Sequence, residues 1–151
     1  MVYGPVAGPV RKGVTVGKIR EQELVLLRGL PGSGKTWTAQ HRFVPQGYVH
    51  IEADHFFEHR RLDGTVEYRY DPRLIPVAHA QCQQRVREAL RGGNSVVVAN
   101  TFIRKYEIQP YLNIARQYSV AVRIIIMCGR FQSVHDVPAL KIEQMRQNFE
   151  K

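Results

Sequence analysis

Cysteine is scarce in this chain, with only Cys82 and Cys128, and there is a single tryptophan, Trp37. Two thiols, one in a helical stretch and one after an apolar run, exclude a disulfide-stapled scaffold; both are expected to be reduced and buried. Long apolar runs are missing too. The longest, around residues 124–127, is strand-sized and adjoins Arg123, whereas a spanning helix needs about 18 or more apolar residues. The first residues carry no apolar stretch of the kind that opens a secretory signal. The expected compartment is therefore the cytoplasm, and no membrane partner is expected. Acidic residues are outnumbered, 13 against 22 basic ones, which leaves a formal charge of +9 over 151 residues. A field of that sign draws polyanions, nucleic acid among them, but it also serves plain solubility, and the excess is spread along the chain. The hydrophobic fraction of 44% suits one folded domain.

Two regions differ in texture. Residues 1–22 are broken by Gly4-Pro5, Gly8-Pro9, Gly13 and Gly17 and carry Arg11, Lys12, Lys18 and Arg20. They read as a flexible basic tail with at most a short strand at 14–16, or as an arm that seeks nucleic acid. Residues 23–151 alternate strand and helix. Continuous apolar runs predict strands at 24–28, 48–52, 95–100 and 120–127. Helices are expected over 37–43, from Pro72 to Gly92-Gly93, after Pro110 to 118, and over 138–149 with Ile142, Met145 and Phe149 inward. In the long helix Ile75, Ala78, Cys82, Val86 and Ala89 recur at three- and four-residue steps and form one apolar face. The charged stretch 58–71, with Asp63-Gly64 marking a turn, reads as an exposed loop. The pattern predicts an α/β fold of the P-loop NTPase type, a parallel sheet of about four to five strands with helices on both faces. Ligands of such sheets sit outside the carboxyl ends of the strands, which singles out 29–36, 53–57, 99–104 and 128–137.

The first of these segments reads GLPGSGKT and fits G-x-x-x-x-G-K-[ST] without a mismatch, between a predicted strand and a predicted helix. Gly29, Gly32 and Gly34 let the backbone turn so that successive N–H groups, with those of Leu30, Pro31's neighbours and Ser33, point at one spot. The following helix adds its positive end, and Trp37 at its start joins the nucleotide-binding set. Lys35 supplies a point charge for the outer phosphates, and Thr36 offers its hydroxyl to Mg²⁺. The cofactors expected are ATP and Mg²⁺.

Asp54 directly follows the second predicted strand. It fits a general base that takes the proton of an attacking hydroxyl, and it fits a helix N-cap; one role does not exclude the other. Phe56 and Phe57 either pack or stack on a base. Asn100 and Thr101 end the third strand, as ligands or as turn residues satisfying their own backbone. Ala99 stands where many P-loop enzymes carry a Mg²⁺-organising aspartate. The metal then falls to Thr36, phosphate oxygens and water, with Asp54 or Glu52 in the outer shell. Arg130, after the fourth strand, is either a surface arginine or the group that neutralises charge on a transferring phosphoryl. His135 reads as structural and Asp136 as a cap for the last helix.

Together the blocks RGLPGSGKT at 28–36, EADHFF at 52–57, YRYDP at 68–72, AHAQC at 78–82, SVVVANTF at 95–102, EIQPY at 107–111 and VHDVP at 134–138 carry a resemblance. From residue 24 to about 150 the chain resembles the small P-loop kinases related to phage-type polynucleotide 5′-kinase. It is most similar to the bacterial and phage ATP-binding proteins of that group. The resemblance implies ATP-dependent phosphorylation of a hydroxyl, a nucleic-acid 5′-end being the first candidate. It places the catalytic aspartate on Asp54, the phosphate-binding lysine on Lys35, the metal-binding hydroxyl on Thr36 and the lid arginine on Arg130. There are departures. Polynucleotide kinases carry an arginine three residues after the catalytic aspartate to bind the acceptor's phosphate, and here that residue is Phe57. Related members have Asp before Asn-Thr, where this chain has Ala99. Their last block reads Asn-x-His-Gly-Val-Pro, and here Ser133 and Asp136 replace Asn and Gly; Asp tolerates the left-handed backbone that such a Gly marks. A nucleoside or other small molecule is the alternative acceptor, and a non-catalytic ATP- or nucleic-acid-binding module is the alternative function.

Overall fold

The computed structural model describes residues 21–131 and 135–151. The strand expected at 14–16, nearly all of the expected tail and Ser133 lie outside the described residues. Gln22, at the end of that expected tail, donates from Nε2 to Leu90 O at 2.7 Å and Asn94 O at 2.9 Å.

In chain order the strands are β1 (Glu23–Arg28), β2 (Val49–Ile51), β3 (Glu58–Arg60), β4 (Val66–Tyr68), β5 (Val96–Asn100) and β6 (Ala121–Ile126). The helices are α1 (Lys35–Thr38), α2 (Ile75–Arg91), α3 (Gln109–Gln117) and α4 (Ala139–Asn148). Four strands form one parallel sheet in the order β2-β5-β1-β6. The sequence sets this order. β1 and β5 are the unbroken apolar strands, Leu24 to Leu27 and Val96 to Ala99 are buried, and both therefore need cover on two faces.

Alternation along each strand divides the core. Leu24, Leu26, Ile51, Val96 and Val98 pack against Cys82, Val86 and Leu90 of α2 and against Tyr111 and Ile114 of α3. On the opposite face Val25, Leu27, Val97 and Ala99 meet Ala39, Phe43 and Tyr48. The α2 stripe runs Ala78, Cys82, Val86, Leu90, one residue per turn. β6 is the edge strand, so Ile124 and Ile126 stay half exposed, and Arg123 pairs with Glu23 at 2.9 Å. The C-terminus is tied to the base of the first loop by Arg28. This buried guanidinium donates to Phe102 O at 2.7 Å, Ile103 O at 3.2 Å and Glu150 O, and lies 4.3 Å from the centroid of Phe149.

Two expectations need correction. The stretch expected as a loop over 58–71 contains an antiparallel hairpin, β3 with β4. Its strands are three residues each, Glu58-His59-Arg60 and Val66-Glu67-Tyr68, too short for a readable alternation. The hairpin is held by its turn, where Gly64 has φ 85° and Asp63 Oδ1 accepts from Thr65 N and Oγ1 at 2.9 and 2.6 Å. Its far end is fixed by Arg69 N donating to Phe57 O at 2.8 Å. The short helix expected over 37–43 is present, α-type to Thr38 and π-type over Ala39–Phe43. Cys82 is buried, but Cys128 is exposed, because it follows the uncovered edge strand; both are free thiols. Among the described residues no helix is long and apolar enough to cross a membrane.

Candidate active site

The segments that follow β1, β2, β5 and β6 meet at one end of the sheet. After β1 the chain takes left-handed conformations at Gly32 (φ 79°) and Gly34 (φ 94°), which L side chains rarely adopt. Gly29 is a matter of space. A Cβ there would sit 2.5 Å from Ser33 Oγ and 2.6 Å from Met127 O. The loop is thus closed around its own backbone, and Lys35 reaches back into it. Lys35 Nζ donates to Gly29 O and Leu30 O, both at 2.8 Å, and approaches Ser33 Oγ at 3.4 Å. Burial pulls the Lys35 ammonium down to about 8, with Glu52 and Asp54 opposing the shift. A buried cation at a glycine-rich turn between a strand and a helix fits a polyphosphate.

Beside the loop lies a cavity of about 700 Å³ lined by residues 32–38, Met127, Gly129 and Phe131. Trp37 reaches this cavity while remaining exposed, and its ring stacks on His41 at 4.5 Å. Arg130 is exposed and lines neither this cavity nor the next one; its neighbour Phe131 does line it, anchored by its N–H donating to Gly32 O at 2.7 Å.

A second cavity, of about 400 Å³, is lined by Pro31, Lys35, Thr36, Glu52, Asp54, Thr101, His135 and Lys141 among others. Thr36 Oγ1 donates to Glu52 Oε1 at 2.6 Å, and His50 Nε2 lies 2.7 Å from the same oxygen. Burial raises the Glu52 carboxyl, but the hydrogen bonds from His50 and Thr36 outweigh it and leave the group below its ordinary value. An ionised carboxylate next to a threonine hydroxyl is the hard-oxygen donor set that suits Mg²⁺. His55, half-buried beside it, is held below the ordinary imidazole value by desolvation.

Asp54 is half exposed, and Tyr68 Oη donates to its Oδ1 at 2.9 Å. His135 Nε2 lies 3.8 Å from Oδ2, and the His135 and Tyr68 rings stack at 4.1 Å. Burial, then the Asp54 charge, pushes the Tyr68 phenol well up, so it stays protonated as a donor. The turn Ala53–Phe57 opens at Glu52, so the cap position is not Asp54. Asn100 is a brace: its Oδ1 accepts from Ala53 N at 2.9 Å, while its Nδ2 faces Tyr111 Oη and Cys82 Sγ. Ala99 is buried against Val25 and Leu27. Phe57 is 3% exposed, with its ring edge-on to Phe56, Tyr68 and Tyr70. The expected left-handed turn is present, with Asp136 at φ 47°, but α4 is capped at Pro138 and not by Asp136.

Local sequence signals do not single out Tyr68 or Phe131, and His135, expected to be structural, lies 3.8 Å from Asp54 Oδ2. Tyr68 stood in one of the resemblance blocks, which was a usable signal; Phe131 had none beyond following a strand end.

A family profile described as an AAA domain matches residues 24–129. NEDD4-binding protein 2 of Homo sapiens is 30% identical over 97% of this chain and 8% of its own length. A putative bifunctional polynucleotide phosphatase/kinase of Acanthamoeba polyphaga mimivirus is 31% identical over 73% of this chain and 22% of its own. The chain thus spans less than a quarter of the curated relatives it matches. In fold it is similar to a chain of the Pnkp1/Rnl/Hen1 RNA repair complex, with TM-score 0.62 and 17% identity, covering 85% of this chain and 44% of that one. A gluconokinase from Sinorhizobium meliloti 1021 has TM-score 0.56 and 16% identity, covering 85% and 75%. With its loop at 29–36 and the match over residues 24–129, the chain belongs to the AAA-domain family of P-loop proteins.

Proposed function

We propose that the chain transfers the γ-phosphate of ATP to a hydroxyl, with a nucleic-acid 5′-hydroxyl end as the first acceptor. The observation that carries this reading is that Lys35, Thr36 and Asp54 line one cavity. The loop's backbone N–H groups other than those of Gly29 and Ser33, which already donate to Thr101 O and Leu30 O, hold the phosphates, and Lys35 turns from its loop carbonyls to the β- and γ-oxygens. Thr36 and Glu52 would hold Mg²⁺, with Asp54 in its outer shell; when bound, the ion offsets charge on the phosphate oxygens. Asp54 takes the acceptor's proton as that oxygen bonds to the γ-phosphorus and the bond to the β-phosphate oxygen breaks, releasing ADP. Tyr68 aims the carboxylate by its hydrogen bond to Oδ1 and leaves Oδ2 to the acceptor and His135. Arg130, exposed after β6, is assigned the charge that gathers on the leaving group.

One observation favours a small-molecule acceptor instead. Phe57 occupies the position of the acceptor-binding arginine and is packed among aromatic rings, so no guanidinium reaches an acceptor phosphate from there. Radiolabelled ATP offered with 5′-hydroxyl RNA, 5′-hydroxyl DNA and nucleosides separates the two. Label in an oligonucleotide supports the first reading; label in none of them at saturating ATP removes it.

A further inference from the structure

Two histidines and a glutamate converge at the carboxylate that holds Thr36. One ring nitrogen each of His50 and His55 and one oxygen of Glu52 lie within 4.8 Å of one another. The local chain makes this happen. His50 and Glu52 are two residues apart on extended chain and share a side, and the tight turn Ala53–Phe57 brings His55 back over Glu52. The two imidazoles meet edge to face with centroids 5.0 Å apart, and His50 Nε2 is already 2.7 Å from Glu52 Oε1.

A tetrahedral ion with bonds of about 2.0–2.1 Å holds its donors roughly 3.3 Å apart. The three donors lie within 4.8 Å of one another, so binding requires the buried Glu52 and the two partly buried imidazoles to draw closer together. Two imidazoles with one carboxylate are a poor set for Mg²⁺, which takes oxygen donors, and a good one for Zn²⁺, Co²⁺ and similar ions. We propose that His50, Glu52 and His55 bind a borderline transition-metal cation such as Zn²⁺, and that the ion draws Glu52 Oε1 away from Thr36 and so slows phosphoryl transfer. The slowing rests on the kinase reading above; the binding does not. Positive charge faces the trio from Arg85, whose Nη1 is 3.4 Å from His55 Nδ1, and from Lys35 near Glu52. The affinity is therefore below that of a closed four-ligand zinc site, and Arg85→Gln tightens it.

The test uses the full chain carrying Cys128→Ser, which removes the exposed thiol as a competing ligand. Titration with ZnCl₂ by calorimetry is expected to give one ion per chain. CoCl₂ is expected to give the intense visible absorption of a tetrahedral site, and needs no substitution within the trio. His50→Gln and His55→Gln should each weaken binding by about tenfold or more, with circular dichroism confirming that they fold. Absence of saturable Zn²⁺ binding and of the Co²⁺ bands overturns the site, as does unchanged affinity in both folded variants. In the activity arm, Zn²⁺ should inhibit the parent chain more strongly than His55→Gln, each relative to its own zinc-free rate. Binding without inhibition of an active chain overturns the regulatory half. A chain that binds Zn²⁺ but phosphorylates no acceptor leaves the site standing and removes the kinase reading alone.

Discussion

Thr36 and Glu52 share a 2.6 Å hydrogen bond that joins the end of the phosphate loop to the end of β2. The bond places a carboxylate at the hydroxyl proposed to hold Mg²⁺, although β5 carries Ala99 next to its end. Glu52→Gln keeps the shape but removes the charge. It should raise the Mg²⁺ concentration needed for half-maximal transfer by about tenfold or more, because the carboxylate proposed to hold the ion beside Thr36 loses its charge. A magnesium titration of the transfer rate at fixed ATP checks this.

Lys35 should make the proposed nucleotide binding sensitive to pH. Its folded value, about 8, lies below the ordinary 10.5, so between these limits the unfolded chain holds more protons than the folded one. For this group alone, the nucleotide-free protein gains stability as pH rises from about 8 to 10.5. Polyphosphate favours the charged lysine and so reverses the preference. ATP affinity should fall as pH rises through about 8, with proton uptake on binding. Calorimetry in buffers of different ionisation enthalpy measures that uptake directly; proton release near this pH would contradict it.

Phe57 holds the hairpin to the domain. Phe57→Ala removes the ring that Tyr68 and Tyr70 pack on, and should cost about 3–5 kcal/mol. Chemical denaturation reads the loss. Because Tyr68 orients Asp54, the transfer rate should fall further than the nucleotide affinity does.

How much was legible in the sequence depends on the range of the signal. The phosphate loop was legible because glycine spacing and the Lys35-Thr36 pair act within eight residues. The parallel sheet was legible because β1 and β5 are apolar without interruption. The hairpin was not, since its three-residue strands are held by a turn and by Phe57 rather than by a pattern. The exposure of Cys128 depends on β6 being at the edge, which no local window reports. His135 comes to Asp54 from a segment 81 residues later, and only the return of the chain over the sheet end makes that approach.

The central claim concerns Asp54, and one measurement tests it most directly. Single-turnover transfer from γ-labelled ATP to a 5′-hydroxyl oligonucleotide is compared between the unsubstituted chain and Asp54→Asn, with ATP affinity measured in parallel. The account predicts a fall of about 10²- to 10⁴-fold in the rate with ATP bound as tightly as before. Transfer by Asp54→Asn at the unsubstituted rate would contradict it.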